Sequence, residues 1–324
     1  MADFWLEDMG ADGFRMDAVK YYVEADRILQ NSPDNFIWLE SLNSHLKTVA
    51  PDSFTVGEAY GSTFESRLYV NKQSVDIAFD FDLARAFINS ANSGNNQAVI
   101  ATQDSVLGYY PYGQYGVFLT NHDQKRVMNE FGENIELAKV ATSMMLTNPG
   151  VPFLYYGEEI GMIGDKPDEC IRIPMQWDSV TLEETFTLGK HCDNNTNRFN
   201  VKAEASDPQS LLSYYRDLIY LRNKHNVLQT GEFRKVLSSS SEVYSFVRFD
   251  SNELLLVVIN LSADAVSDYA LSLDQSPYAN ARSHQILFGN GSVMDLQMNI
   301  SGGFENYVPF VTLPPHSTTI IAFN

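Results

Sequence analysis

Apolar residues follow two different grammars along the 324-residue chain. Through the first two thirds, short apolar runs alternate with longer stretches in which apolar residues recur every three or four positions. Gly13–Met16, Phe54–Val56, Val75–Phe81, Gly116–Thr120 and Val151–Tyr156 read as strands. Phe36, Leu39, Leu42, Leu46 and Val49 have helical spacing, opened by Ser32-Pro33-Asp34 and broken by Pro51-Asp52. Phe64–Val70, Leu83–Ala91, Gln97–Leu107 and Ile135–Leu146 read as further helices, and Phe4–Met9 as a helix end capped by Gly10. One strand per βα unit of about 30 residues predicts a parallel sheet with helices outside it.

A long irregular stretch then runs from Gly157 to about Asp207, a length that loops usually reach for function, and Leu211–Arg222 is the last helix. From Val227 the pattern changes to short strands separated by turns, at Val243–Phe249, Leu254–Leu261, Ser283–Phe288 and Thr318–Phe323. This predicts an all-β sandwich over 226–324, following an α/β portion over 1–225, with the boundary near His225.

Composition narrows the partners more than the fold. A net charge of −19 excludes nucleic acid and anionic membrane surfaces, and favours a neutral or cationic substrate or a divalent metal. No apolar run is long enough to span a bilayer. The start, MADFWLEDMG, lacks the charged end and apolar middle of a signal peptide, so secreted and cytoplasmic locations both stay open. Cys170 and Cys192 form no visible disulfide framework and are expected to be free thiols.

Polar residues gather immediately after the strands: Asp17, Glu58, His122-Asp123 and Glu158-Glu159. In α/β architectures that end of the sheet carries the chemistry. An unpaired carboxylate is too costly to leave in a core, so Asp17 must emerge where its short buried strand ends. Arg15, two residues earlier, lies on the same face of the strand and keeps that carboxylate ionised. An ionised, oriented carboxylate is a nucleophile, although a structural ion pair would look the same from this stretch alone. If the strands curl into a barrel, Asp17, Glu58 and Asp123 converge on one rim. Two close carboxylates can cleave a glycosidic bond, one attacking the anomeric carbon while the other protonates the leaving oxygen. A third stabilises the positively charged transition state, and His122 can donate to a sugar hydroxyl.

GFRMD, VGEAY and FLTNHD resemble three of the four signature segments of the α-amylase family, glycoside hydrolase family 13, in the order of its barrel strands four, five and seven. YYGEEIGM is similar to that family's strand-eight end, and IRIPMQWD to a loop of its oligosaccharide-acting members. The resemblance implies a partial (β/α)8 TIM barrel, from about strand four onward, followed by the β-sandwich domain. It implies retaining hydrolysis of α-1,4-glucosidic bonds in starch-derived glucans, with an oligo-α-glucosidase or transglycosylase as the alternative within the family. A non-catalytic carbohydrate-binding or assembly module is the alternative outside it. Asp17 is then the nucleophile, Glu58 the acid/base and Asp123 the transition-state stabiliser, with Arg15 and His122 supporting the sugar ring. Lys20 and Tyr21 stand where family members touch the sugar on the leaving-group side, but Lys20 reads equally as a solvated surface lysine. Arg126 either touches substrate or pairs with an acid, and Tyr60, Tyr109, Tyr110 and Tyr112 either stack on sugars or pack.

The fourth signature segment, with its Asp and Asn-His pair, has no counterpart before Gly13. About five of the eight strands of a closed barrel are present. The expectation is a fragment of a full enzyme rather than a natural short module. Its open sheet edge would pair with itself or with a complementary chain. No cofactor is required by these residues. Of the family's calcium ligands only a carbonyl near Tyr21 could come from this chain.

Overall fold

The structure is a computed structural model that describes residues 1–179, 192–278 and 283–323. It divides into two compact units. The first comprises 1–85, 101–118 and 150–153, and the second comprises 86–100, 119–149 and 154–324.

A five-stranded parallel sheet organises the first unit. Its strands β1 (Gly13–Met16), β2 (Phe54–Gly57), β3 (Ile77–Phe79), β4 (Tyr115–Val117) and β5 (Val151–Pro152) lie side by side in chain order. All four pairings are parallel, as the βα alternation predicts, with Arg15 opposite Val56, Val56 opposite Ile77, Ala78 opposite Tyr115 and Gly116 opposite Val151. The strands are shorter than the apolar runs suggest, because Phe118 to Thr120 and Phe153 to Tyr156 leave the ladder while still contributing side chains. Phe118 and Phe153 pack with Phe79, Phe81 and Ala84 in one cluster. Close approach of β1 to β2 explains Gly13, since a Cβ there would lie 1.8 Å from the Phe54 carbonyl oxygen. The expectation that β1 is buried is corrected: as an outer strand it is half-exposed, and among the described residues it pairs with β2 alone.

Helix α1 (Pro33–Val49) returns the chain from β1 to β2. Ser32 caps it by accepting from the Asn35 N–H, Pro33 takes the first helical position, and Phe36, Leu39 and Leu46 form the buried stripe. Helix α2 (Thr63–Asn71) starts with a capping box in which Ser62 and Glu65 satisfy each other's backbone N–H. Helices α3 (Phe81–Ser93) and α4 (Gln97–Tyr109) fill the crossover from β3 to β4.

The second unit contains a seven-stranded antiparallel sheet. Its strands are β6 (Glu232–Ser238), β7 (Val243–Phe249), β8 (Leu254–Asn260), β9 (Leu271–Leu273), β10 (His284–Phe288), β11 (Phe304–Tyr307) and β12 (Thr318–Phe323), in the order β10-β12-β8-β7-β6-β9-β11. The four strands expected from sequence are present. The three extra ones, β6, β9 and β11, are short or half-exposed, and their apolar alternation is weak. The hydrogen bonding is continuous rather than split between two sheets. Strand β6 pairs with β7 through Glu232–Val236 and with β9 through Leu237 and Ser238.

The two compact units do not divide at His225. The helical segments α5 (Val127–Glu130) and α6 (Ile135–Thr147) belong with the antiparallel sheet. The reason is polar as well as apolar. The carboxyl end of α6 presents carbonyls that no further turn can satisfy. Arg248 of β7, fully buried, donates to the Thr147 carbonyl at 2.8 Å and to those of Leu228 and Gly231 at 3.0 Å. Arg222 donates to Leu146 at 2.7 Å, and the Tyr244 hydroxyl to Asn148 Oδ1 at 2.8 Å. Positive charge at a helix carboxyl end is also favoured by the helix dipole.

The loop between β5 and the last helices carries short turns, α7 (Asp168–Ile171) and α8 (Val201–Glu204). Part of that irregular stretch, 180–191, lies outside the described residues. Glu158, in YYGEEIGM, is 2% exposed and accepts from the Tyr215 hydroxyl at 3.3 Å. Burial, aided by the neighbouring Glu159, pushes its pKa from 4.5 up to about 8. The folded state therefore holds a proton that the unfolded chain releases. Glu158 thus lowers stability as pH rises from about 4.5 to about 8, by about 1.4 kcal/mol per unit at most, and adds no slope beyond that window. Glu158→Gln should flatten the decline of Tm between pH ~5 and ~8; a slope unchanged from wild type would contradict this assignment.

Candidate active site

The first cluster grows from the ends of β1 and β2. These strands are in register at Met16 and Gly57, so their next residues, Asp17 and Glu58, leave the sheet side by side. The Glu58 N–H donates to the Met16 carbonyl at 2.9 Å, and the Val19 N–H to the Glu58 carbonyl at 3.1 Å, so the two exits are stitched together. Ala18, with φ of 43°, turns the chain sharply after Asp17. A non-glycine residue in that conformation is a strained position of the kind functional sites retain.

Arg15 bridges the two acids. One guanidinium nitrogen contacts Asp17 Oδ1, and the other lies 2.7 Å from Glu58 Oε2. Their surroundings differ: the Asp17 side chain is 74% exposed, the Glu58 side chain 12%. Burial raises the Glu58 pKa, opposed by Arg15 and by a 3.4 Å bond from the Ala18 N–H, and reinforced by Asp17. One carboxyl is thus disposed to hold a proton beside another that faces solvent.

The flanking residues divide. Tyr21 is 54% exposed, with its hydroxyl on Gln30, and Tyr60 is 63% exposed, resting edge-on against Phe81 with centroids 4.9 Å apart. Lys20 departs from both readings given to it. It is 6% exposed, and its ammonium donates to the Tyr60 carbonyl at 3.0 Å. It is a strut tying the β1 exit to the Glu58 segment, rather than a solvated lysine or an open sugar ligand. Asp80, at the end of β3, was not assigned a role by sequence reasoning. It is fully buried, accepts from the Thr63 hydroxyl at 3.0 Å and caps α3 through the Leu83 N–H at 2.8 Å. Tyr110 packs on Tyr115, and Tyr109 lies beside Phe64 and Arg67, so both are packing residues.

The second cluster lies in the second unit, beyond β4. Asp123 Oδ1 is 2.6 Å from Arg172 Nη2, and its Oδ2 is 3.3 Å from His122 Nε2. Arg172 also donates to the His122 carbonyl at 2.9 Å and reaches Asp168 at 3.1 Å. All three side chains of the Asp123 group are nearly half exposed. Arg172 escaped sequence reasoning, although it lies within the quoted IRIPMQWD; no residue in that segment was singled out.

Arg126, which the sequence left as either a substrate contact or the partner of an acid, is a buried organiser of this segment. It is 1% exposed, donates to the carbonyls of Ile171 at 2.9 Å and Tyr156 at 2.7 Å, and lies over the rings of Tyr155 and Tyr156. Tyr156 donates to the Ile173 carbonyl at 2.6 Å, so the backbone on both sides of Arg172 is fixed. The free-thiol expectation is likewise overturned: Cys170 and Cys192 form a disulfide. A single pair 22 residues apart gives no spacing pattern from which this could be read. Among the described residues no three His, Cys, Asp or Glu side chains gather as a metal site.

The Alpha amylase, catalytic domain family model matches residues 1–231. Alpha-amylase 3 of Dictyoglomus thermophilum is 31% identical over 268 residues, covering 81% of this chain and 52% of that protein. An oligo-1,6-glucosidase of Parageobacillus thermoglucosidasius is 28% identical, covering 81% of this chain and 58% of the relative. The chain therefore spans little more than half the length of these relatives. The crystal structure of the alpha-amylase from H. orenii aligns with a TM-score of 0.79 at 29% identity, over 100% of this chain and 63% of that one. With strand-end acids of this geometry and a family match over most of its length, the chain belongs to the alpha-amylase family of glycoside hydrolases.

Proposed function

We propose that this protein is a retaining α-glycosidase acting on α-1,4-linked, starch-derived glucans. Asp17 attacks the anomeric carbon, the bond to the leaving oxygen breaks, and Glu58 gives that oxygen its proton. Water, deprotonated by Glu58, then attacks the glycosyl-Asp17 ester, and Asp17 leaves as a carboxylate. Asp123, held by Arg172 and His122, is assigned to the developing positive charge on the sugar.

The observation that carries this reading is the single guanidinium of Arg15 in contact with both acids. Carboxyls sharing adjacent nitrogens of one arginine fit the ~5–5.5 Å separation of retaining enzymes better than the ~6.5–9.5 Å of inverting ones. The raised pKa of Glu58 supports its role as the proton donor. We further infer that β1 to β5 are strands of a (β/α)8 barrel, the seven-stranded sheet being the family's terminal β-sandwich.

Similarity to oligo-1,6-glucosidases and the IRIPMQWD segment favour a second reading, an exo-acting oligo-α-glucosidase or transglycosylase. Product analysis on maltoheptaose separates them. A ladder of shorter maltooligomers is expected for the amylase, glucose alone indicates the second reading, and binding without turnover would overturn both in favour of a carbohydrate-binding role.

A further inference from the structure

Helices α1 and α2 open in the same way, with a serine at the N-cap whose hydroxyl accepts from the N–H three residues later. In α2 that third residue, Glu65, completes a capping box by reaching back to Ser62. In α1 the third residue is Asn35, and its side chain goes elsewhere. It is fully buried, its Nδ2 donates to the Val19 carbonyl at 2.8 Å, and its Oδ1 accepts from the Val23 N–H at 3.0 Å. Both partners belong to the turn that follows Asp17. A buried amide used in this way does not serve the helix it stands on; it holds the turn.

That turn in its own right grips the Glu58 segment. The Ala18 N–H lies 3.4 Å from Glu58 Oε2, the Val19 N–H donates to the Glu58 carbonyl at 3.1 Å, and the Lys20 ammonium donates to the Tyr60 carbonyl at 3.0 Å. Val19 is therefore pinned on both sides, its N–H by Glu58 and its carbonyl by Asn35. The grip needs the second hold because Ala18 is left-handed, with φ of 43° and ψ of 46°. A residue with a Cβ keeps that conformation only where its surroundings over-determine it. The charged groups around Glu58 are Arg15 and Asp17, from β1 and its exit, and Lys20, in the turn itself and 4.0 Å from Glu65 of α2. Tyr22, farther along the turn, faces Asp17 and Arg15. Asn35 reaches the Glu58 carboxyl through the turn, by way of the Ala18 N–H.

We propose that Asn35 is a positioning residue for proton donation: acting through the Val19 carbonyl, it holds the Ala18 turn closed on Glu58 and so sets where that carboxyl stands. Its role in turnover rests on the reading of Glu58 as the acid/base; its hold on the Glu58 carboxyl does not. An N–H given to a carboxylate favours the ionised form, so releasing the turn raises the Glu58 pKa further. The full chain is compared as wild type, Asn35→Ala and Asn35→Asp. The Glu58 carboxyl is followed by carboxyl-carbon NMR titration and assigned by its absence in Glu58→Gln. In Asn35→Ala the Glu58 midpoint and the alkaline limb of kcat/KM should both rise by ~0.5 pH unit. Its kcat on maltoheptaose should fall ~10-fold with KM little changed, and less on a 2,4-dinitrophenyl maltooligoside, whose leaving group needs no proton. Asn35→Asp keeps the acceptor for Val23, but its carboxyl can donate to Val19 only while protonated. It should match wild type in acid and approach Asn35→Ala as that proton is lost, a comparison that stands even if Asn35→Ala does not fold. A wild-type midpoint in folded Asn35→Ala, an Asn35→Asp that follows wild type at every pH, or equal losses on both substrates overturns the proposal. A raised midpoint in Asn35→Ala, in a chain whose wild type has no turnover, supports the hold and counts against the hydrolase reading alone.

Discussion

Asp17→Asn is expected to lower turnover of maltoheptaose at least ~10⁴-fold, whatever the leaving group, because the amide cannot form the glycosyl ester. Glu58→Gln should behave differently. On maltoheptaose, whose leaving alcohol needs a proton, the loss should be ~10²–10⁴-fold. On a 2,4-dinitrophenyl maltooligoside, whose phenolate leaves unaided, the first step should be nearly intact and a glycosyl-enzyme should accumulate. The contrast follows from the two environments that Arg15 joins, an exposed Asp17 and an enclosed Glu58 whose pKa is raised by burial. The same raised pKa places the alkaline limb of kcat/KM above the ordinary glutamate range, and Glu58→Gln should remove that limb. Equal losses on both substrates in Glu58→Gln would show that Glu58 is not the proton donor, and near-wild-type turnover of maltoheptaose by Asp17→Asn would show that Asp17 is not the nucleophile.

Arg248→Leu should cost about 4 kcal/mol of stability and lower Tm by roughly 10 °C, measured by calorimetry or circular dichroism. The substitution removes the donor to three backbone carbonyls while leaving them buried. An unsatisfied buried acceptor costs ~1–3 kcal/mol, partly offset here by the apolar replacement. Arg248→Lys should recover only part of the loss, since one ammonium cannot span carbonyls contributed by Thr147, Leu228 and Gly231. A Tm within ~2 °C of wild type for Arg248→Leu would mean that α6 is held to the sheet by apolar packing alone.

The parallel sheet was legible because its signal is repeated: five apolar runs, each followed by a break and a helical period. Strand ends were less so, since Phe118 and Phe153 are apolar for the sake of a ring cluster rather than a ladder. Asp17, Glu58 and the His122-Asp123 pair were singled out because strand-end acids have no structural excuse in an apolar context. Lys20 and Arg126 were misjudged for the opposite reason. Sequence position places a long cation near a cleft, but whether it reaches backbone carbonyls or solvent depends on residues such as Tyr60 and Ile171, dozens of positions away. Arg172 and the Cys170–Cys192 disulfide belong to a stretch without periodicity, where no physical rule connects spacing to contact. The affiliation of α6 with the antiparallel sheet depends on Arg222, Tyr244 and Arg248, polar residues whose bonds to the end of α6 go to main-chain or amide groups.

The order of strands in the second sheet also constrains its birth on the ribosome. Strand β12 lies between β10 and β8, and β10 has no other neighbour in the ladder among the described residues. Residues 254–260 therefore emerge and wait about sixty residues for the segment that will flank them. Until 318–323 have been synthesised, one side of β8 stays open and β10 has nothing to zip to. The parallel sheet has no such delay, because each of its strands docks on the one made just before it.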